Sequence, residues 1–239
     1  AYLFNCDTDS PDFSRLLNQF SLEDGKAGDE FGQHILVGQA GTIAISAPGS
    51  AGGAGSVHLF RSDSSVKSIQ NPAPSAGRAF GWWMSSVEER FAVSAPFGGA
   101  VHILSMVDGR PISKFLGSGG LGRQIATNSA RLLVGNPGDE AAYLHDISSG
   151  QHLYTFDPPH GTNEFGWATA ISDTEIIISE MRSDDPFDST GKVHVYDAST
   201  FVLKQNVLSP SPGQGDIFGH NLLLRGDSLF VSALGDTVA

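Results

Sequence analysis

Residues 80–104, FGWWMSSVEERFAVSAPFGGAVHIL, hold a Phe-Gly pair, a short apolar run, a tight turn at Val87–Arg90, a second run ending Ala95-Pro96, a glycine loop and a third apolar run. Runs of four to six apolar or β-branched residues separated by turn residues read as strands, and three in series read as an antiparallel meander. The pattern recurs along the chain. Residues 31–60 read FGQHILVGQAGTIAISAPGSAGGAGSVHLF, residues 121–146 LGRQIATNSARLLVGNPGDEAAYLHD, residues 165–197 FGWATAISDTEIIISEMRSDDPFDSTGKVHVYD, and residues 218–239 FGHNLLLRGDSLFVSALGDTVA. The glycines of the five pairs lie 49, 41, 44 and 53 residues apart. Self-similarity at such a period marks a repeat in which each unit is one supersecondary module. A weaker fourth run follows the third, as at Val66–Ile69 and His152–Phe156. Four short strands in about 40–50 residues is the layout of a propeller blade.

The expected fold is therefore all-β: a five-bladed β-propeller of four-stranded antiparallel blades, forming one domain over residues 1–239. The blades are placed near residues 30–70, 79–116, 120–157, 164–208, and 217–239 with 1–20. The last unit ends at Ala239 before its third strand, and Tyr2–Phe4 supplies a strand of the missing kind. Counted through the termini, Gly219 to Gly32 spans 52 residues, in line with the other spacings. A ring closed by terminal strands sharing one blade removes the exposed sheet edges that template aggregation. Against this stands the reading that the chain is cut from a longer array.

Composition supports one β domain: 29 glycines and 12 prolines among 239 residues suit many turns, and no long helical period or apolar run of membrane length occurs. The first residue is Ala rather than Met, which suggests a processed or excised domain. A net charge of −12 argues against a nucleic-acid partner, which requires clustered Lys and Arg. The single cysteine, Cys6, excludes an internal disulfide framework and a thiolate metal cluster.

The order Phe-Gly, apolar strand, apolar strand ending Ala47-Pro48 or Ala95-Pro96, then Gly-x-Val-x-h-Phe resembles the FG-GAP repeats of integrin-α-like propellers, in a calcium-poor bacterial version. The resemblance implies an extracellular or cell-surface recognition or adhesion module without catalysis, binding protein or glycan through loops on one face. The calcium loops of that family are not carried over, because the turns after the first strands read GQAGT, SVEER, TNSAR, ISDTE and LRGDS. No cofactor is expected apart from one Ca²⁺ candidate at Asp184, Asp185 and Asp188, three carboxylates in five residues interrupted by Pro186 and Phe187.

Trp82, Trp83 and Trp167 follow their Phe-Gly pairs directly and so enter the innermost strands near the axis. There they stack on a ligand ring or plug the channel, and core packing is the favoured reading. Arg78, Arg123, Asp29, Glu164 and Asp216 join them as candidate ligand-binding residues on the loops of the same face. Arg225, Gly226 and Asp227 lie at an expected hairpin tip on the opposite face and resemble the adhesion tripeptide, though Gly and Asp also suit a tight turn. His58, His102, Tyr143 and His194 share one column of the third strands, read as packing rather than metal ligation. No nucleophile elbow, zinc helix or phosphate loop is present, so no catalytic residues are assigned and the chain is read as a non-enzyme. The alternative is a propeller glycoside hydrolase or lyase whose axial carboxylates are Asp29, Glu164 and Asp216.

Overall fold

A computed structural model describes residues 1–38, 41–73, 78–158, 163–184 and 187–235. Four antiparallel sheets of four strands dominate it. The first contains β3 (Ile35–Val37), β4 (Ile43–Ala47), β5 (Ser56–Phe60) and β6 (Val66–Gln70), and the second β7 (Met84–Val87), β8 (Arg90–Ala95), β9 (Ala100–Ser105) and β10 (Pro111–Leu116). The third contains β11 (Ile125–Thr127), β12 (Arg131–Asn136), β13 (Ala141–Asp146) and β14 (His152–Phe156), and the fourth β15 (Phe165–Ile171), β16 (Glu175–Glu180), β17 (Lys192–Asp197) and β18 (Leu203–Leu208). In each, sequence neighbours pair in order as a meander. Two two-stranded sheets flank them: β1 (Tyr2–Phe4) with β2 (Leu16–Gln19), and β19 (Phe218–Arg225) with β20 (Ser228–Ala233). Helix is confined to one turn, α1 (Ser50–Gly53), and a 3-10 turn at Pro96–Gly98.

The sheets are arranged like propeller blades, and their cores show why. Each apolar cluster lies between two neighbouring sheets. Ala44, Val57 and Leu59 of the first sheet pack with Phe91, Val93 and Leu104 of the second. Ala92 and Ile103 pack with Leu132 and Val134 of the third, and Leu133 and Leu144 with Ile176 and Ile178 of the fourth. Ile177 and Val195 pack in turn against Phe218 and Leu222 of β19. A strand buried on both faces reads as an unbroken apolar run, which is why FAVSA and EIIIS lack alternation.

The Phe-Gly pairs sit at the entry to the inner strands for a backbone reason. Glu30, Ala79, Gly120, Glu164 and Ile217, the residues just before each pair, all have positive φ, and so do Gly32, Gly81, Gly122, Gly166 and Gly219. The aromatic or leucine residue is thus held between two left-handed residues, which turn the chain sharply and drive Phe80 and Phe165 into complete burial. The amide of Gly81 then bonds to Ser94 O at 3.0 Å, and Ser94 Oγ accepts the amide of Trp83 at 3.0 Å. Ser46 does the same for His34, Ser179 for Ala168 and Ser232 for Asn221. The serine in the SAP-like segment is therefore a side-chain cap on the bent start of the next-inner strand, contributing about 1 kcal/mol in each repeat. The third unit has Gly135 at this position and so keeps only the backbone bond to Gln124 O, the same one Ser46 and Ser94 make to His34 O and Trp83 O.

His58, His102 and His194 meet Phe31, Phe80 and Phe165 edge-to-face at 5.9, 5.5 and 5.3 Å. They are too involved in packing to converge, and among the described residues no group of three His, Cys, Asp or Glu is placed to hold a metal ion. The glycine-rich stretch Gly49–Gly55 holds the α1 turn, with Ala51 and Gly52 left-handed. Cys6 is exposed. No helix among the described residues is long and apolar enough to cross a membrane. No described pairing joins β20 to β1, so the two two-stranded sheets stand separate.

Candidate active site at the axial mouth

The inner strands β7, β11, β15 and β19, with His34 just before β3, line a common channel that includes Ser85, Thr127, Thr169 and Leu222. Its mouth is a pocket of about 170 Å³ built from Gln33, Trp82, Trp83, Arg123, Gln124, Trp167, His220 and Asn221. Every one of these is the first or second residue after a Phe-Gly or Leu-Gly glycine. The sharp entry to each inner strand aims the first of these side chains at the axis, and in three repeats the second as well, so five repeats supply one site.

Arg123 occupies its centre. Its guanidinium lies over the Trp82 ring at 4.8 Å and the Trp167 ring at 4.1 Å. A cation held between two aromatic faces keeps its charge while its N–H edge stays free for an anionic or carbonyl oxygen. Burial pushes its pKa down, and the Glu164 carboxylate opposes this. Trp82 is braced by Phe97 at 5.5 Å, Trp83 by His34 at 4.5 Å, and Trp167 by His220 at 5.7 Å.

His220 is the titratable partner. Burial lowers its pKa below the usual histidine value, and the positive charge of Arg123 lowers it further. The imidazole is therefore neutral at pH 7 and able to accept a proton. Its Nδ1 is buried with no hydrogen-bond partner. Beside it, Gln124 donates from Nε2 to Leu222 O at 3.2 Å across the channel, while its Oε1 is buried without a partner. Two unsatisfied polar atoms at one pocket mark a place where a ligand group completes the bonding.

The tryptophans and Arg123 thus come together as the sequence proposed, but the carboxylates do not join them. None of Asp29, Glu164 and Asp216 lines the pocket. Asp29 accepts the amide of Lys26 at 2.8 Å, Glu164 pairs with Arg182 at 3.3 Å, and buried Asp216 accepts the amide of Gly213. Asp29 and Asp216 are absorbed by their own loops, and Glu164 by Arg182 of the loop after β16. A pair of axial carboxylates is therefore not what the mouth offers. Arg78 bonds to Gly98 O at 3.4 Å, also away from the pocket. Arg225 and Ser228 pair across the two-residue turn Gly226-Asp227, with Gly226 left-handed. Asp184 accepts the amide of Ser189 at 2.9 Å and Asp188 O that of Gly215, while Asp185 lies outside the described residues. Sequence reasoning missed His220, Gln124, Gln33 and Asn221. The signal was present in their offset from glycine, the same one that drew attention to the tryptophans.

Neither a family model nor a curated protein sequence matches the chain. Solved structures do. The chain is similar to a virginiamycin B lyase from Staphylococcus aureus at 14% identity and TM-score 0.62, over 83% of this chain and 61% of that one. A catalytically inactive histidine-to-alanine form of that lyase with quinupristin is similar at 13% identity and TM-score 0.72, over 98% of this chain and 70% of the other. A streptogramin B lyase is similar at 12% identity and TM-score 0.63, over 84% and 61%. The chain thus spans about three fifths to seven tenths of the length of these proteins. At such identities the likeness establishes the fold. It corrects the resemblance drawn from the repeats: no FG-GAP family model matches, and these neighbours are lyases rather than integrin-like adhesion proteins. The reading as a non-catalytic, carbohydrate-binding or adhesive module falls with it. The Phe-Gly pair misled because it answers a backbone need at the blade entry rather than an inherited binding function.

Proposed function

We propose that the chain is a lyase-type enzyme working at the axial mouth, with His220 as base and Arg123 as electrophile, on a streptogramin-type substrate such as quinupristin. The observation that carries this reading is a neutral imidazole held beside a guanidinium that two indoles keep in place. In an elimination, His220 removes the proton on carbon next to a carbonyl, and Arg123 stabilises the enolate oxygen. The C–H pair becomes a C=C bond, the neighbouring carbon–oxygen bond breaks, and the leaving oxygen takes the proton back from the imidazolium. A pocket of about 170 Å³ admits the reacting carbonyl and its neighbours while a larger substrate rests on the tryptophan rim. That the fold neighbours are lyases, one of them inactivated by loss of a histidine, supports the choice of reaction.

Incubated with quinupristin, the chain should give a product of unchanged mass with a new conjugated carbonyl absorbance. His220→Ala should lower the rate by about 10²–10⁴-fold. The profile of kcat/KM should rise with pH through a midpoint below the ordinary histidine value and then level, because protonation removes the base. Turnover that survives His220→Ala, or none at all by the folded wild-type chain, would overturn the assignment.

We further infer five blades, the fifth assembled from β19–β20 and β1–β2. What supports this is that β19 lines the same channel as β7, β11 and β15, and that Phe230 on one half and Tyr2 and Phe4 on the other are exposed apolar side chains that pairing would cover. Hydrogen exchange tests it: alternate amides of β20 that point away from β19 should be slowed if β1 pairs there, and free-chain rates at those amides would sink the closure.

A further inference from the structure

The strongest unassigned feature lies outside the axial mouth, on the first blade. There a chain of side chains runs Ser50 Oγ to Ser56 Oγ at 2.7 Å, Ser56 Oγ to His58 Nε2 at 2.8 Å, and His58 Nδ1 to Ser68 Oγ at 2.9 Å. Ser50, Ser56 and His58 are all buried, at 9%, 1% and 5% exposure, yet all four residues line one cleft of about 680 Å³. The cleft is closed on its other side by the segment Ser21–Asp29.

Packing does not require this chain. His102, at the same place in the second blade, makes the same edge-to-face contact with its phenylalanine while its Nε2 has no partner. His194 in the fourth blade bonds to Glu180 at 2.8 Å. Alanine and lysine, Ala100 and Lys192, stand where the first blade has Ser56. Ser56 is thus peculiar to the first blade among the three that carry this histidine, and it stands where a cleft opens.

The backbone beside Ser50 is also peculiar. Ala51 has φ 52° and ψ 39°, and Gly52 φ 71° and ψ 31°. A non-glycine residue in the left-handed region costs on the order of 1 kcal/mol, and such strain gathers where a side chain must be presented in a set direction. Here it follows Ser50 and turns the chain back so that Ser56 reaches it.

We propose that this cleft is a second, acyl-transfer site in which Ser50 is the nucleophile and His58 the base acting through Ser56, with small carboxylic esters as the substrate class. With Nδ1–H donating to Ser68, Nε2 accepts from Ser56, and Ser56 accepts from Ser50, so one proton path leads from the nucleophile to the imidazole. Ser50 Oγ bonds to the ester carbonyl carbon, and its proton replaces the one Ser56 passes to His58. The carbonyl pair moves to oxygen and returns as the alkoxide leaves, taking a proton back along the same path. Water repeats the two steps and frees the acid and the serine. Burial lowers the His58 pKa and Asp29 opposes it, which leaves a neutral base. This site is independent of the axial lyase reading.

The test is labelling of the intact chain with a fluorophosphonate, read by peptide mass mapping. The expected adduct is on Ser50, forming at least about tenfold more slowly in Ser56→Ala and in His58→Gln. His102→Gln, the equivalent change in the second blade, should label at the wild-type rate. No adduct on the folded wild-type chain, or an adduct on Ser50 indifferent to both changes, overturns the proposal. Should His58→Gln fail to fold, Ser56→Ala alone decides, since it removes the relay hydroxyl while Ser68 still holds the imidazole through Nδ1.

Discussion

Gly166→Ala should destabilise the chain by about 3 kcal/mol or more, lowering its melting temperature by roughly 6–12 °C. Two costs coincide at this residue. Its φ of +85° lies in the region that a side chain disfavours by about 1–2 kcal/mol. A Cβ would also stand 2.1 Å from Ala141 O and 3.0 Å from Asn136 N. Both are backbone atoms of the neighbouring blade, which cannot yield as a flexible side chain can. On the facing strand a Cβ at Gly135 would stand 2.2 Å from Gly166 O, so the third and fourth blades meet backbone to backbone. The control is Gly28→Ala, where φ is +92° and nothing lies within 4 Å, so only the conformational cost of about 1 kcal/mol applies. Equal losses in the two variants, measured by urea unfolding, would show that the blade seam is not the constraint inferred here.

Acid should weaken the fold in two stages. His34, His58, His102, His145 and His220 all have their pKa lowered, with burial the leading cause in each. For His145 the value falls from 6.5 to about 4, with the neighbouring His152 adding to the effect of burial. A histidine kept neutral in the fold but free to protonate in the unfolded chain binds more protons when unfolded, so stability is full above about pH 6.5 and lost as pH falls towards 4. Below that, a second loss begins. Asp146 and Asp197 have carboxyls held low by hydrogen bonds from Ser148 and Ser149, and from Ser199 and Thr200, and their contribution disappears as they protonate. Urea midpoints taken from pH 7.5 to 3 should fall first between about 6.5 and 4. His145→Phe, placing a second aromatic beside Phe115, which now lies 4.3 Å from the imidazole, should flatten that stage. An unchanged midpoint between pH 7 and 4.5 would refute the assignment of these histidines as neutral in the fold.

Much of this architecture was legible in the residues. The run at Val66–Ile69 falls inside an observed strand, and His152–Phe156 and Tyr2–Phe4 match theirs. Local signals suffice there, because a run of β-branched and aromatic residues between turns has no other stable use. The hairpin at Gly226-Asp227 was legible for the same reason. The site was legible only in part. Trp82, Trp83, Trp167 and Arg123 were singled out by residue type, while His220 and Gln124 were passed over because neither belongs to a known motif. Asp29, Glu164 and Asp216 were named as candidate binding residues, and as convergent axial carboxylates only in the alternative reading. Asp29 and Asp216 instead bond to amides within three residues of themselves, as short acidic side chains readily do.

By itself, then, the sequence determined the period, the strand order within each repeat and the antiparallel pairing, since these depend on interactions between near neighbours in the chain. Only the tertiary structure decided what stands at the axis. Gln33, Trp82, Arg123, Trp167 and His220 are separated by 41 to 53 residues in sequence, and nothing local encodes that they share one pocket. Their meeting follows from packing each sheet on the next, which carries the first residue after every repeat glycine to the same radius. The seat of Arg123 between two indoles and the lowered pKa of His220 exist only once that packing has brought these residues together.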